Sequence, residues 1–257
     1  MGQDRGGLMD KLFHQRVMRR WSRAARLAWN SDLVSLRRQR AQARLLKTHL
    51  DALVHTADER LGLPIIGSQS FPKPHNADWG WRPELWRGRL PYPGVSSVGT
   101  KSKLGREVTL FHDCPRTEIT LRQIRNIREE DIAPYALRLD VFTFDGSFLS
   151  AVIDMPQQAT DGLKKNHVIR MDAIVELEKP LEIFARFNVK HGPNTEQIVR
   201  ELELKGPNVS VEFDLAYSNL NEKHVEKAWV DLIFEGPEMN QVVLRDLTFS
   251  RRPRAAL

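Results

Sequence analysis

The sequence predicts a mainly β chain: a two-sheet antiparallel sandwich of jelly-roll type, preceded by a basic α-helical hairpin. Three observations carry this. Between residues 168 and 215 apolar and polar side chains alternate, with Ile169, Met171, Ala173, Val175 and Leu177 in one run and Leu181, Ile183, Ala185, Phe187 and Val189 in the next. A period of two buries one face of a strand and leaves the other mixed, as antiparallel sheets require. Second, the runs are separated by Lys179-Pro180, His191-Gly192-Pro193-Asn194 and Lys205-Gly206-Pro207-Asn208, residue types that set turns between strands. Third, charge is segregated. Residues 1–62 hold 13 Lys/Arg against 6 Asp/Glu, whereas the rest hold 26 against 27, so the net charge of +6 originates in the N-terminal segment.

Within residues 8–29, Phe13, Val17, Trp21, Ala24 and Ala28 recur at the spacing of one helix face. Arg16, Arg19, Arg20, Arg23 and Arg26 flank that stripe, and no acid stands between Lys11 and Trp29. Asn30-Ser31-Asp32 supplies cap candidates for a second helix, expected to run to about residue 61 with Gly62 past its end and Pro64 following. Its seam is Leu36, Ala43, Leu46, Leu50, Leu53 and Ala57. Two readings stand side by side. The two apolar stripes pack on each other or on the β domain, or the arginine flank contacts an anionic surface, whether membrane, nucleic acid or acidic protein.

Residues 63–94 form a distinct strap. Six prolines there forbid long regular elements, yet Trp79, Trp81 and Trp86 lie within eight residues, which a disordered linker would not carry. The indoles either plug an edge or end of the sandwich or form an aromatic platform for sugars or bases. The sandwich itself is expected over residues 95–257. Strand patterns occur at 107–111, 118–124, 137–144 and 147–154, the last two read as a hairpin turning at Asp145-Gly146. Further patterns at 228–234 and 241–250, with the four of the central stretch, complete the set.

No phosphate loop, HExxH, paired CxxC or G-x-S-x-G occurs, which argues against an enzyme. His112-Asp113-Cys114 has no third partner for nucleophilic catalysis, because neighbours on a strand face opposite ways. Asp140, Asp154, Asp172, Asp214 and Asp231 are not spaced as a calcium loop, so neither metal nor cofactor is expected. Cys114 is the one cysteine, so no internal disulfide forms. Arginines interrupt every apolar run of the first thirty residues, and no stretch reaches the ~20 apolar residues of a membrane span. A cytoplasmic or membrane-peripheral location is the expectation.

The mixed strand face is the main polar feature. It carries Arg138, Asp140 and Phe142; Arg170, Asp172 and Glu176; Phe184, Arg186 and Asn188; Glu212 and Asp214; Trp229 and Asp231. These residue types suit a solvated face of cross-strand charge pairs, and equally a surface that hydrogen-bonds sugar hydroxyls and stacks sugar rings. Candidate ligand contacts are therefore Trp79, Trp81 and Trp86 on the strap and Phe184, Arg186 and Asn188 on the sheet. The leading functional expectation is a non-enzymatic binding or assembly protein that recognises a glycan or a protein. The alternative is a purely structural or oligomerising protein. An enzyme of glycan metabolism would require paired carboxylates ~5–10 Å apart in a groove.

The stretches FDGSFLSAVIDMP, FARFNVKHGPNTEQIVRELEL and KAWVDLIFEGPEMNQVVLRDLTFSRRPR, with ADWGWRPELWRG and FHDCPRTEITLRQIRNIREED before them, resemble an uncharacterised bacterial family known only as a domain of unknown function. That resemblance covers most of the chain and implies no activity, cofactor or catalytic residue. The ending WVDLIFEGPEMNQVVLRDLTFSRRP is similar, more loosely, to the last hairpin of galactose-binding-like and carbohydrate-binding jelly rolls. A final strand of alternating apolar residues with Asp and Arg, as at 242–251, closes a sheet there. This likeness implies a fold and no function.

Overall fold

The alternating stretch becomes four strands, and the computed structural model, which describes residues 8–66 and 71–254, builds a sandwich around them. In chain order the strands are β1 (Trp79–Trp81), β2 (Gly94–Ser96), β3 (Ser102–Leu104), β4 (Val108–His112), β5 (Ile119–Arg125), β6 (Tyr135–Val141), β7 (Leu149–Asp154), β8 (His167–Leu177), β9 (Glu182–His191), β10 (Asn194–Glu201), β11 (Asn208–Asp214), β12 (Val225–Glu235) and β13 (Asn240–Pro253). The first sheet has the order β11-β8-β13-β6-β5-β2, with β1 also paired to β13; the second has the order β10-β9-β12-β7-β4-β3. Every pairing is antiparallel.

Of the ten apolar positions predicted from the alternation eight are buried, while Leu177 and Leu181, either side of the Lys179-Pro180 turn, are half-buried. Ile169, Met171, Ala173 and Val175 line the inner side of the first sheet, and Ile183, Ala185, Phe187 and Val189 the inner side of the second. Phe187 stacks on Phe213 at 5.4 Å between ring centroids. The buried apolar side chains described run from Leu85 to Phe249, so the strap contributes to this core. The expected turn at His191 holds: β9 and β10 close on Gly192-Pro193, with Gly192 at φ +57°.

One expected hairpin does not form. β6 lies in the first sheet and β7 in the second, so Asp145-Gly146 joins two layers rather than two paired strands. Neither residue takes the positive φ of a type I′ turn. Close approach is what requires glycine here, because a Cβ at Gly146 would lie 2.5 Å from Asp113 Oδ1 and 2.9 Å from the Cys114 amide.

The chain divides into two compact units, Met1–Val54 and His55–Leu257. The first holds α1 (Leu8–Leu27), the short 3₁₀ turn Ala28–Asn30 and α2 (Leu33–Ile66) as far as Val54; the last turns of α2 belong to the second. Asp32 caps α2, accepting from the Val34 and Ser35 amides at 3.1 and 2.9 Å, and these bonds hold its carboxyl below the usual range. α2 continues four residues beyond Gly62, because a glycine in helical conformation costs only about 1 kcal/mol relative to alanine and does not stop a helix by itself. The apolar stripes are only partly covered: Trp21, Ala24, Ala28, Leu36, Ala43 and Leu46 are half-buried, while Phe13, Val17, Leu50 and Leu53 are exposed.

Candidate ligand-binding site

Three neighbouring strands of the second sheet bring the polar candidates together. Asp231 of β12 pairs with Arg186 of β9 on one side and Val152 of β7 on the other; Trp229 pairs with Asn188 and Asp154, and Ile233 with Phe184 and Ser150. These positions share a parity opposite to the buried Val230, Leu232 and Phe187, so all face away from the core. Arg186 donates to Asp231 from Nε at 2.8 Å, with Nη2 2.7 Å away. Asn188 Nδ2 reaches Asp231 Oδ2 at 3.2 Å and the Arg186 carbonyl at 2.9 Å, and Gln197 of β10 donates to Asn188 Oδ1 at 3.0 Å. Asp231 is only 3 % exposed and Asn188 fully buried, whereas the Arg186 side chain keeps 37 % of its surface. The chain Gln197–Asn188–Asp231–Arg186 thus fixes one guanidinium above a buried carboxylate.

Beside it lies a depression of about 410 Å³, lined by Arg186, Asp231, Trp229, Phe111, Phe148, Ser150, Val152 and Ile233. Phe148 is 44 % exposed, and Trp229 and Phe111 are half-buried. The Lys227 ammonium sits 5.4 Å from the centre of the Trp229 ring and pairs with Asp154 at 2.7 Å. The Ser150 hydroxyl is buried with no hydrogen-bond partner. Aromatic surface beside a fixed, partly exposed guanidinium can take the apolar face of a sugar ring while bonding its rim.

The predicted sites are therefore regrouped. Arg186 lines the depression, Asn188 supports it from beneath, and Phe184 lies on the same sheet face outside the lining. The mixed face read as one surface is two. Arg138, Asp140, Arg170, Asp172, Glu176, Glu212 and Asp214 belong to β6, β8 and β11 of the first sheet, on the opposite side of the molecule. Charges there are mutually satisfied: Arg170 meets Asp172 at 2.7 Å, and Asp140 accepts from Arg138, Arg122, Thr120 and Gln241 at 2.8–3.0 Å. Burial pushes Asp140 up, but the bonds from Arg138, Arg122 and Thr120 outweigh it and hold the carboxyl below its ordinary range. A second depression of about 410 Å³ lies on this side, between residues 72–74 and β8, β11 and β13.

The strap tryptophans do not form an open platform. Trp86, in the short helix Glu84–Arg87, is 0 % exposed and donates its indole N–H to the Leu244 carbonyl at 2.8 Å. Trp79 and Trp81 alternate with Gly80 on β1, and the pairing of Trp81 with Phe249 turns both indoles to the core side. Their rings lie 6.4 Å apart, Trp81 stacks on Phe249 at 5.7 Å, and both pack half-buried against the core. Phe111, Phe148, Ser150 and Gln197 are the residues that sequence reasoning missed. Phe148 was hidden inside the supposed Asp-Gly hairpin.

His112 and Cys114 have structural contacts. His112 Nε2 lies 2.7 Å from the Val98 carbonyl; the Cys114 thiol donates to Asp145 and to the Arg116 carbonyl, and burial followed by Asp145 pushes its pKa up, away from a nucleophilic thiolate. Among the described residues no three His, Cys, Asp or Glu side chains gather as a metal site. In the N-terminal unit Arg16, Arg19, Arg20 and Arg23 line a shallow basic groove with Trp21, Leu27, Gln39 and Gln42, and Arg26 is exposed.

Similar solved structures include the enzymatically active domain of bacteriophage CBA120 tailspike protein 4, with a TM-score of 0.40 and 9% identity over 60% of this chain and 21% of that one. The matched part thus spans about a fifth of the length of that domain. A family 11 carbohydrate-binding module from Clostridium thermocellum, in complex with a β-1,3-1,4-mixed-linked tetrasaccharide, gives 0.39 and 10% over 63% and 97%. The C-terminal family 22 carbohydrate-binding module of Clostridium thermocellum Xyn10B gives 0.40 and 7% over 73% and 100%. No curated protein matches the chain. A family of unknown function, DUF6478, matches residues 1–257.

Proposed function

We propose that this chain, which belongs to the DUF6478 family of unknown function, is a binding module. Its sandwich holds a hydroxyl-rich ligand of the glycan class in the depression of the second sheet, and its basic helices attach it to an anionic surface. The observation that carries the reading is the pairing of aromatic surface with a fixed polar group: Trp229, Phe111 and Phe148 border a guanidinium locked by Asp231.

The test is a glycan array probed with the full chain and with Trp229→Ala and Phe148→Ala. Both side chains stand outside the core, so thermal unfolding should shift little. Stacking of a ring on an aromatic face is worth about 1–3 kcal/mol, so affinity for any bound glycan should fall roughly fivefold or more in each variant. A bound glycan that ignores both substitutions, or no glycan bound at all, contradicts the proposal.

A further inference from the structure

Resting on the attachment role proposed for the helices, we infer that their partner is an anionic lipid bilayer, entered by the turn that joins them. Trp29 is 96 % exposed in that turn, and Leu33 and Val34, just past it, are 72 % and 77 % exposed. Ala28 and Ser31 occupy the covered side of the same joint. The conformation is fixed, because Ser31 is extended at φ −82° and ψ 148°, its hydroxyl bonds the Leu27 carbonyl at 2.9 Å, and Asp32 caps α2. The joint therefore holds an indole and two aliphatic side chains largely exposed to water.

Both helices lead away from this tip carrying positive charge. Arg16, Arg19, Arg20, Arg23 and Arg26 precede it, and Arg37, Arg38, Arg40 and Arg44 follow; the one acid from residue 11 to residue 50 is Asp32, whose carboxylate bonds the first amides of α2. Duplex DNA would engage the arginines through its phosphates, but would take an indole, a leucine and a valine only by unstacking its base steps. A bilayer surface takes both: the indole settles at headgroup depth, Leu33 and Val34 enter the acyl boundary, and the guanidiniums bind lipid phosphates. Contact is interfacial, as no described helix is long and apolar enough to cross a membrane.

The test uses full-length protein and sedimentation with vesicles of phosphatidylcholine, alone or mixed equally with phosphatidylglycerol. We expect binding to the mixed vesicles only, weakening as salt shortens the Debye length from ~10 Å at 0.1 M toward ~3 Å at 1 M. A tip variant, Trp29→Ser with Leu33→Ser and Val34→Ser, should lose at least tenfold in vesicle affinity while keeping its helical circular dichroism and every arginine. Duplex DNA is the control. Vesicle binding that survives the tip variant overturns the inference, as does binding to DNA with none to vesicles, although the latter leaves attachment to an anionic surface standing. Binding to neither removes both, and the glycan array reports on the sandwich independently.

Discussion

Replacing Trp86 with alanine should destabilise the sandwich by about 3–5 kcal/mol, the range for a fully buried aromatic. The indole is 0 % exposed, packs with Leu85 and Leu90 in the core cluster, and satisfies the Leu244 carbonyl of the central strand β13. Truncation removes the packing and leaves that carbonyl without its donor. Trp79→Ala and Trp81→Ala should each lose less, because both rings already keep part of their surface in water. Urea unfolding of the three variants measures the order. Equal, small losses would mean that the strap is dispensable and that the tryptophans are free for another role.

Arg82→Met should be nearly as damaging at neutral pH. The Arg82 side chain is 0 % exposed, Asp246 keeps 10 %, and two bonds at 2.8 and 2.6 Å join them where the register of β13 with β8 shifts between Leu244 and Asp246. Removing one partner of a buried pair leaves an uncompensated charge and costs roughly 3–5 kcal/mol. The effect has a pH signature. Burial pushes the Asp246 carboxyl above its ordinary range even though Arg82 draws it down. A folded pKa above the unfolded one means that the folded state binds the proton more tightly, so stability from this group is present at low pH and is lost as pH rises through the folded value. Without Arg82 the carboxyl rises further. The loss in Arg82→Met should therefore be largest near pH 7 and shrink as pH falls toward about 4, the ordinary Asp range. Adding Asp246→Asn should recover part of it at pH 7. A pH-independent loss would show that packing of the arginine, not its charge, is what matters.

How far the sequence could be read depended on whether a residue's role was local. Strands β8 to β11 were legible because alternation is a local consequence of burying one face, and Ile169, Met171 and Phe187 lie where the pattern put them. β1, β2 and β3 were not, since three residues carry no period and each exists through its pairing with β13, β5 or β4. Asp145-Gly146 misled because glycine serves both a turn and a close approach, and only the position of Asp113 distinguishes them. The candidate site was half legible for a related reason. Arg186, Asn188, Trp229 and Asp231 were on the polar face, but no local pattern says which of two sheets a strand joins, so Arg170 and Asp172 were grouped with residues on the far side of the molecule. Phe111, Phe148 and Ser150 come to Trp229 and Asp231 through the neighbouring β4 and β7, contacts with no sequence signature.

The proposed ligand site is tested most directly by nitrogen–proton correlation spectra of the chain titrated with an oligosaccharide that it binds on the array. The indole resonance of Trp229 and the backbone amides of β7, β9 and β12 beside Val152, Arg186 and Asp231 are expected to shift together and saturate with one affinity. Shifts gathered instead around Lys73, Arg170 and Thr248, in the depression of the opposite sheet, would contradict the proposed site.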